Sequence, residues 1–240
     1  MLKVFNRLWM FGDSYSTPDY CVHPSASFWG LTAQHLGIHT ILNLSRVSNS
    51  LDSVCQLVVG MQSEFVPGDL VLIGIPPLER ITIFDGGKDT EYTGYIINDV
   101  TWQSTTFDVP CHRGLISEQF FGNDEFLIAH SDRAWTEIQA LRTVFFLTKW
   151  LDSADIDYLI LNLSKPFLNN SMWLPSTAVA NYVKQHTHCS IFNDTYYSVN
   201  LDINLPVDYS VGGWNGHHGP KGNRHYFETT IRPMLETLYA

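Results

Sequence analysis

The sequence predicts an α/β fold, a three-layer α/β/α sandwich around a parallel sheet of four to five strands. Three observations predict it. The apolar run Leu8-Trp9-Met10-Phe11, a helical pattern starting near Ser25 and a second apolar run at Ile38–Leu44 form a βαβ unit. Asp69-Leu70-Val71-Leu72-Ile73-Gly74-Ile75 is continuously apolar after its first residue, the pattern of a strand covered on both faces. Strand-like and helix-like segments then keep alternating to the carboxyl end.

Each element has a local reason. The first helix carries Trp29, Ala33 and Leu36 at i, i+4 and i+7 and stops at Gly37. Ser48 or Ser50 caps a second helix over Leu51 to Met61. After the Asp69–Ile75 strand, residues from Ile81 to about Ala129 show little helical periodicity and many turn formers: Gly86-Gly87, Asn98-Asp99 and Gly122-Asn123. So long a stretch forms hairpins of its own or an active-site rim. Its aromatics, Tyr92, Tyr95, Trp102, Phe107, Phe120 and Phe121, make a small local core or stack on a sugar face. Ser131 caps a long helix whose sheet-facing stripe is Ala134, Ile138, Leu141, Phe145 and Thr148. Tyr158–Leu163 is the fourth strand, Ser176 to Gln185 a helix and Ser190-Ile191-Phe192 a short apolar segment. Phe227, Ile231, Met234 and Leu238 mark a terminal helix that runs through Pro233. The reading is one domain over residues 1–240, with an insertion at about 81–130.

Composition narrows the function classes. A net charge of −10 and a pI near 5.3, without any cluster of Lys and Arg, argue against nucleic acid as a partner. No run reaches the ~20 apolar residues of a membrane span, and the first residues lack a signal-peptide pattern. The expectation is a soluble, cytoplasmic protein that does not partner a membrane, with the oligomeric state left open. Cys21, Cys55, Cys111 and Cys189 show no C-x-x-C spacing, so free thiols are expected, and two disulfides only if the protein leaves the cell. No cofactor or metal motif is present. His217, His218 and His225 are near one another, but adjacent histidines point apart and no H-E-x-x-H pattern occurs.

Two segments carry chemistry. Gly12-Asp13-Ser14 ends the first strand and puts a hydroxyl at the sheet's carboxyl edge, where open α/β folds bind ligands. As plain structure the tripeptide is a turn, with Gly at positive φ and Asp or Ser capping the next segment. Near the other end, Trp214-Asn215-Gly216-His217-His218-Gly219-Pro220-Lys221-Gly222-Asn223 sets two histidines before the last helix. A serine needs a neighbouring base to act as nucleophile at neutral pH, and histidine supplies one.

On Gly12-Asp13-Ser14 with Tyr15-Ser16, and on His-x-Gly-Pro-x-Gly from His217 to Gly222, the chain resembles the SGNH, or GDSL-type, hydrolases, a family of esterases and carbohydrate deacetylases. Short phage-encoded members without signal peptides are similar in length and in their histidine loop. The resemblance implies the flavodoxin-like sandwich, Ser14 as nucleophile and a histidine base, with backbone N–H groups of Ser14 and Ser48 as oxyanion donors. His217 fits the base by its spacing to Gly222, and His218 fits it by standing three residues after Asn215. Asn215 occupies the place of the family's Asp, and Asp208 or Asp202 stands near enough in sequence to replace it. The family's third-block Asn has no counterpart after the Asp69–Ile75 strand, where Pro76-Pro77 come next. Gly122-Asn123-Asp124 reads as an ordinary turn.

Two functions are compatible with these residues. The first is a serine esterase acting on a short-acyl, acetyl-type ester, with a small molecule or a glycan as substrate. The second is a catalytically weakened structural or carbohydrate-binding protein on the same scaffold, a virion component if phage-encoded.

Overall fold

The structure, a computed structural model, describes residues 2–18, 23–47, 49–78, 82–98, 101–116, 133–163, 178–190 and 219–240; for 82–94, 101–102, 106–116 and 133–136 it describes the backbone. In chain order the elements are β1 (Arg7–Phe11), α1 (Phe28–Leu36), β2 (Thr40–Asn43), α2 (Leu51–Gly60), β3 (Asp69–Ile75), β4 (Thr82–Asn98) and β5 (Thr101–Ile116). After these come α3 (Arg133–Ser153), β6 (Asp157–Asn162), α4 (Ala178–Gln185) and a last helix α5, formed by Pro220–Tyr226, a π turn at Phe227–Ile231 and Arg232–Leu238.

The strands form one six-stranded mixed sheet in the order β5-β4-β2-β1-β3-β6. β2, β1, β3 and β6 are parallel, with Met10 opposite Asn43 on one side and Leu72 on the other. The expectation of a wholly parallel sheet is corrected by the insertion. It adds β4 antiparallel to the edge of β2, then returns as β5, because a hairpin can join antiparallel neighbours with a short turn. Cys189 bridges Ile160 in parallel, so the expected segment at Ser190 starts a further pairing beside β6; Ile191 and Phe192 lie outside the described residues.

Alternation along the strands sorts the core onto two faces. Trp9, Phe11, Leu42, Val71, Ile73 and Ile160 pack with α2, α3 and α4. Leu8, Met10, Ile41, Leu70, Leu72 and Leu159 pack with α1 and α5. Truncating a fully buried side chain such as Leu72 to Ala would cost about 2–5 kcal/mol.

Caps decide where the helices start and stop. Ser27 Oγ accepts from the Gly30 N–H at 3.0 Å, and Gly37 ends α1 in the left-handed region at φ 67°. Of the two serines expected to cap α2, Ser50 does so, accepting from the Ser53 N–H at 3.2 Å. On α3 the sheet-facing residues are Ala140, Leu141, Val144, Leu147, Thr148 and Leu151. The stripe is thus centred near Val144, and Ile138 and Phe145 are only half-buried; Ser131 lies outside the described residues. The terminal helix does pass Pro233. It widens just before, where the Arg232 N–H reaches Phe227 O in the i→i−5 pattern of a π turn.

The amino edge of the sheet is tied by charge. Arg7 grips Asp69 through Nε at 2.9 Å and Nη2 at 2.7 Å, and Trp9 Nε1 donates to the same carboxylate at 2.8 Å. Lys3 pairs with Asp157 at 2.6 Å. Asp152 accepts from the Tyr158 hydroxyl at 2.7 Å and lies 3.3 Å from His186 Nε2.

The inserted hairpin points the other way. β2 meets β4 only from Thr40↔Asn98 to Asn43↔Tyr95, so residues 82–94 of β4 continue past the carboxyl edge of the parallel strands, paired there with β5. Two register shifts interrupt this arm, one at Gly86-Gly87 and one where Val109-Pro110 face the single residue Thr90. Glycine pairs and a proline without an N–H suit bulges rather than a regular ladder. Gly86-Gly87, expected as a turn, is therefore a bulge, and Asn98 marks the turn end of the hairpin.

Candidate functional site

β1 lies inside the sheet with β2 on one side and β3 on the other. The chain leaves it toward one neighbour and later returns to the opposite one, which makes the carboxyl end of β1 a topological switch point. Gly12-Asp13-Ser14 stands there.

The peptide after β1 closes into a single capped turn. The Ser16 and Thr17 N–H groups donate to Asp13 O at 3.0 and 3.1 Å, and the Tyr15 N–H donates to Asp13 Oδ1 at 3.1 Å. Asp13 is the cap, as a plain turn requires, and its carboxylate is fully buried. Gly12 has no positive φ, against the expectation for a turn glycine. Its requirement is space: a Cβ there would run into Ser16 Oγ and press on Met10 Cε.

Ser14 stands directly after the cap and is 6% exposed. Neither its N–H nor its hydroxyl is hydrogen-bonded to another described residue, so both remain available at the edge.

The loop after β2 runs alongside. Leu44 N–H donates to Met10 O at 2.8 Å and Arg46 N–H to Gly12 O at 3.2 Å, which carries the parallel register past the ends of both strands. Asn43 Nδ2 donates to Ser16 O at 2.8 Å, and Asn49 Nδ2 donates to Gly12 O at 2.9 Å. Neither asparagine stands out by sequence motif. The available signal was an amide inside the apolar run Ile41-Leu42-Asn43-Leu44, where a buried polar group demands a partner. Ser45 Oγ on the same loop is buried and has no hydrogen-bond partner among the described residues.

On the β3 side the edge ends in Ile75-Pro76-Pro77, with Ile75 O accepting from the Leu163 N–H at 3.2 Å. Neither residue directly after the strand offers an amide donor, because proline has none.

Of the site residues expected from the sequence, Ser14 is placed at this edge. Ser48, Asn215, His217, His218, Asp202 and Asp208 lie outside the described residues. His225 is on α5, where its carbonyl accepts from Thr229 Oγ1 at 2.8 Å. Among the described residues no group of three or more His, Cys, Asp or Glu side chains could hold a metal ion. Among them, too, no helix is long and apolar enough to cross a membrane. Cys55 and Cys189 are free thiols. Burial, with the Asp52 charge adding, pushes the Cys55 thiol up to about 12, and burial also pushes Cys189 up, so both stay protonated and unreactive near neutral pH.

No family model and no curated protein matches the chain.

Proposed function

We propose that the protein is a serine esterase of the SGNH type, acting on a short-acyl ester carried by a small molecule or a glycan. One observation carries the reading: Ser14, with its N–H and hydroxyl both uncommitted among the described residues, stands in a capped turn at the switch point of the sheet. The three-layer, flavodoxin-like arrangement of the family is supported by the four parallel strands and by helices on both sheet faces.

In this mechanism Ser14 Oγ attacks the ester carbonyl while His217 takes the hydroxyl proton. The backbone N–H groups of Ser14 and Ser48 hold the oxyanion. The carbon–oxygen bond to the alcohol breaks, the imidazolium returns the proton to the leaving oxygen, and an acetylated Ser14 remains. Water, deprotonated by the same histidine, then releases the acid. Asn215, or Asp208 or Asp202 in its place, orients the imidazole, and His218 is the other candidate base. The arm formed by β4 and β5 rises beside this edge and supports a rim for an extended substrate such as a glycan chain. Cytoplasmic placement belongs to the same proposal, with the virion as the alternative for a phage-encoded chain.

A second reading, a carbohydrate-binding or structural protein with weakened catalysis, rests on Pro76-Pro77, which offer no amide donor at the two positions directly after β3. Turnover of p-nitrophenyl acetate by the wild type and by Ser14→Ala, run beside a panel of acetylated glycans, separates the two. The esterase reading expects turnover that disappears in Ser14→Ala. Absence of wild-type turnover, or its survival in the variant, would favour the second.

A further inference from the structure

The two buried asparagines beside the Ser14 turn share one geometry. Asn43, fully buried, accepts from the Ser45 N–H through Oδ1 at 2.9 Å and donates through Nδ2 to Ser16 O. Asn49, 3% exposed, accepts from Ser53 Oγ through Oδ1 at 3.4 Å and donates through Nδ2 to Gly12 O. In each case the carbonyl end bonds to the asparagine's own segment and the amine end crosses to the turn. The two carbonyls they hold, Gly12 O and Ser16 O, bracket Ser14 two residues on either side.

We infer that Asn43 and Asn49 are positioning residues that clamp the peptide planes on both sides of Ser14 and so fix the direction of its N–H and its hydroxyl. The inference rests on the reading of Ser14 as nucleophile. A side-chain amide is suited to this work: it adds no net charge beside a developing oxyanion, and it offers donor and acceptor at once. Small displacements at such a turn matter, since a shift of about 1 Å can slow a reaction about 100-fold.

Asparagine to aspartate dissects the two ends. Asn43→Asp and Asn49→Asp keep the acceptor that serves Ser45 N–H or Ser53 Oγ and lose the donor that reaches the turn. The test measures the rate at which a fluorophosphonate labels Ser14, kcat and KM for p-nitrophenyl acetate, and hydrogen exchange of the Tyr15, Ser16 and Thr17 amides. Each variant should label about 10-fold more slowly or worse, lose kcat with KM little changed, and exchange those amides faster while β3 and α2 stay protected. Wild-type labelling rates in both variants would overturn the clamp, whatever happens to the melting temperature. If the wild type itself is never labelled at Ser14, the nucleophile reading fails, and exchange alone then decides the clamp: unaltered protection over residues 15–17 would reject it. Asn43→Ser and Asn49→Ser, smaller and uncharged, take the place of any aspartate variant that does not fold, under the same criteria.

Discussion

The two edges of the parallel strands are built from different chemistry. At the amino edge charged side chains tie elements together: Arg7 to Asp69, Lys3 to Asp157, and the Asp152 carboxylate to Tyr158 and His186. At the carboxyl edge of β1 the groups are small and mostly neutral, and they hold one turn rather than whole strands. One edge secures the fold, and the other presents a hydroxyl. Substitutions at the two edges should therefore fail in different ways.

The largest expected contrast is between Ser14→Ala and Asp69→Ala. If Ser14 is the nucleophile of the proposed esterase, Ser14→Ala should lower turnover by at least about 1,000-fold, with an unchanged melting temperature. Asp69→Ala should do the reverse. It removes the carboxylate shared by Arg7, Trp9 Nε1 and the Val66 N–H, leaving Arg7 its bond to Glu64 O, and it should cost roughly 2–4 kcal/mol, below the figure for a fully buried pair because Arg7 is 30% exposed. Its turnover per folded molecule should match the wild type. Chemical denaturation and active-site titration on both variants check this, and a catalytic defect in folded Asp69→Ala would break the division between edges.

Gly12→Ala tests the crowding at the carboxyl edge. The new methyl meets Ser16 Oγ and Met10 Cε, so the turn must move. Overpacking of this kind costs about 1–3 kcal/mol. Here both readouts should fall, stability by that amount and fluorophosphonate labelling of Ser14 by about 10-fold or more. A variant that melts early yet labels at the wild-type rate would show that the turn tolerates the shift.

How far the sequence foretells this division depends on range. β1, α1, β2, α2, β3 and β6 are all signalled by local features: apolar runs, Ser48 or Ser50 as a cap, and Gly37 as a stop, although α1 starts after Ser27 rather than near Ser25. Ser14 is legible too, because Gly-Asp-Ser after an apolar run fixes its place at a strand end. The mixed sheet is not legible, since nothing in residues 82–116 says which edge a hairpin will join. Nor is the clamp, where Asn43 and Ser16 are 27 residues apart and Asn49 and Gly12 are 37 apart. The Arg7–Asp69–Trp9 tie spans about sixty residues and carries no motif. Long-range pairing of common polar residues leaves no periodicity to read.

The smallest expected effect is a pH response confined to the amino edge. His188 stacks on Tyr158 with ring centroids 4.8 Å apart, beside His186 at 5.2 Å and Tyr239 at 6.2 Å. Burial, and then the neighbouring His186, hold its pKa below the usual 6.5, against weaker pulls from Asp152 and Asp157. With the folded value depressed, the unfolded chain takes up the proton first as pH falls. This contribution to stability is therefore full above pH 6.5 and declines as pH drops from there toward the lowered value. Asp152, held low by its hydrogen bonds to Tyr158 and His186 despite burial, acts in a separate window: its contribution is lost only as pH falls below the ordinary 3.8. Because His188 is only half-buried, screening should keep its effect small, about 1 °C or less in melting temperature. His188→Gln should flatten the wild-type slope between pH 7 and 5.5 by that amount and leave the acid loss below pH 4 in place. It should also leave the pH profile of esterase kcat untouched, since His188 is at the opposite edge from Ser14. Parallel melting curves for wild type and variant would remove His188 as a source of the slope, and a shifted kcat profile would mean that the two edges communicate.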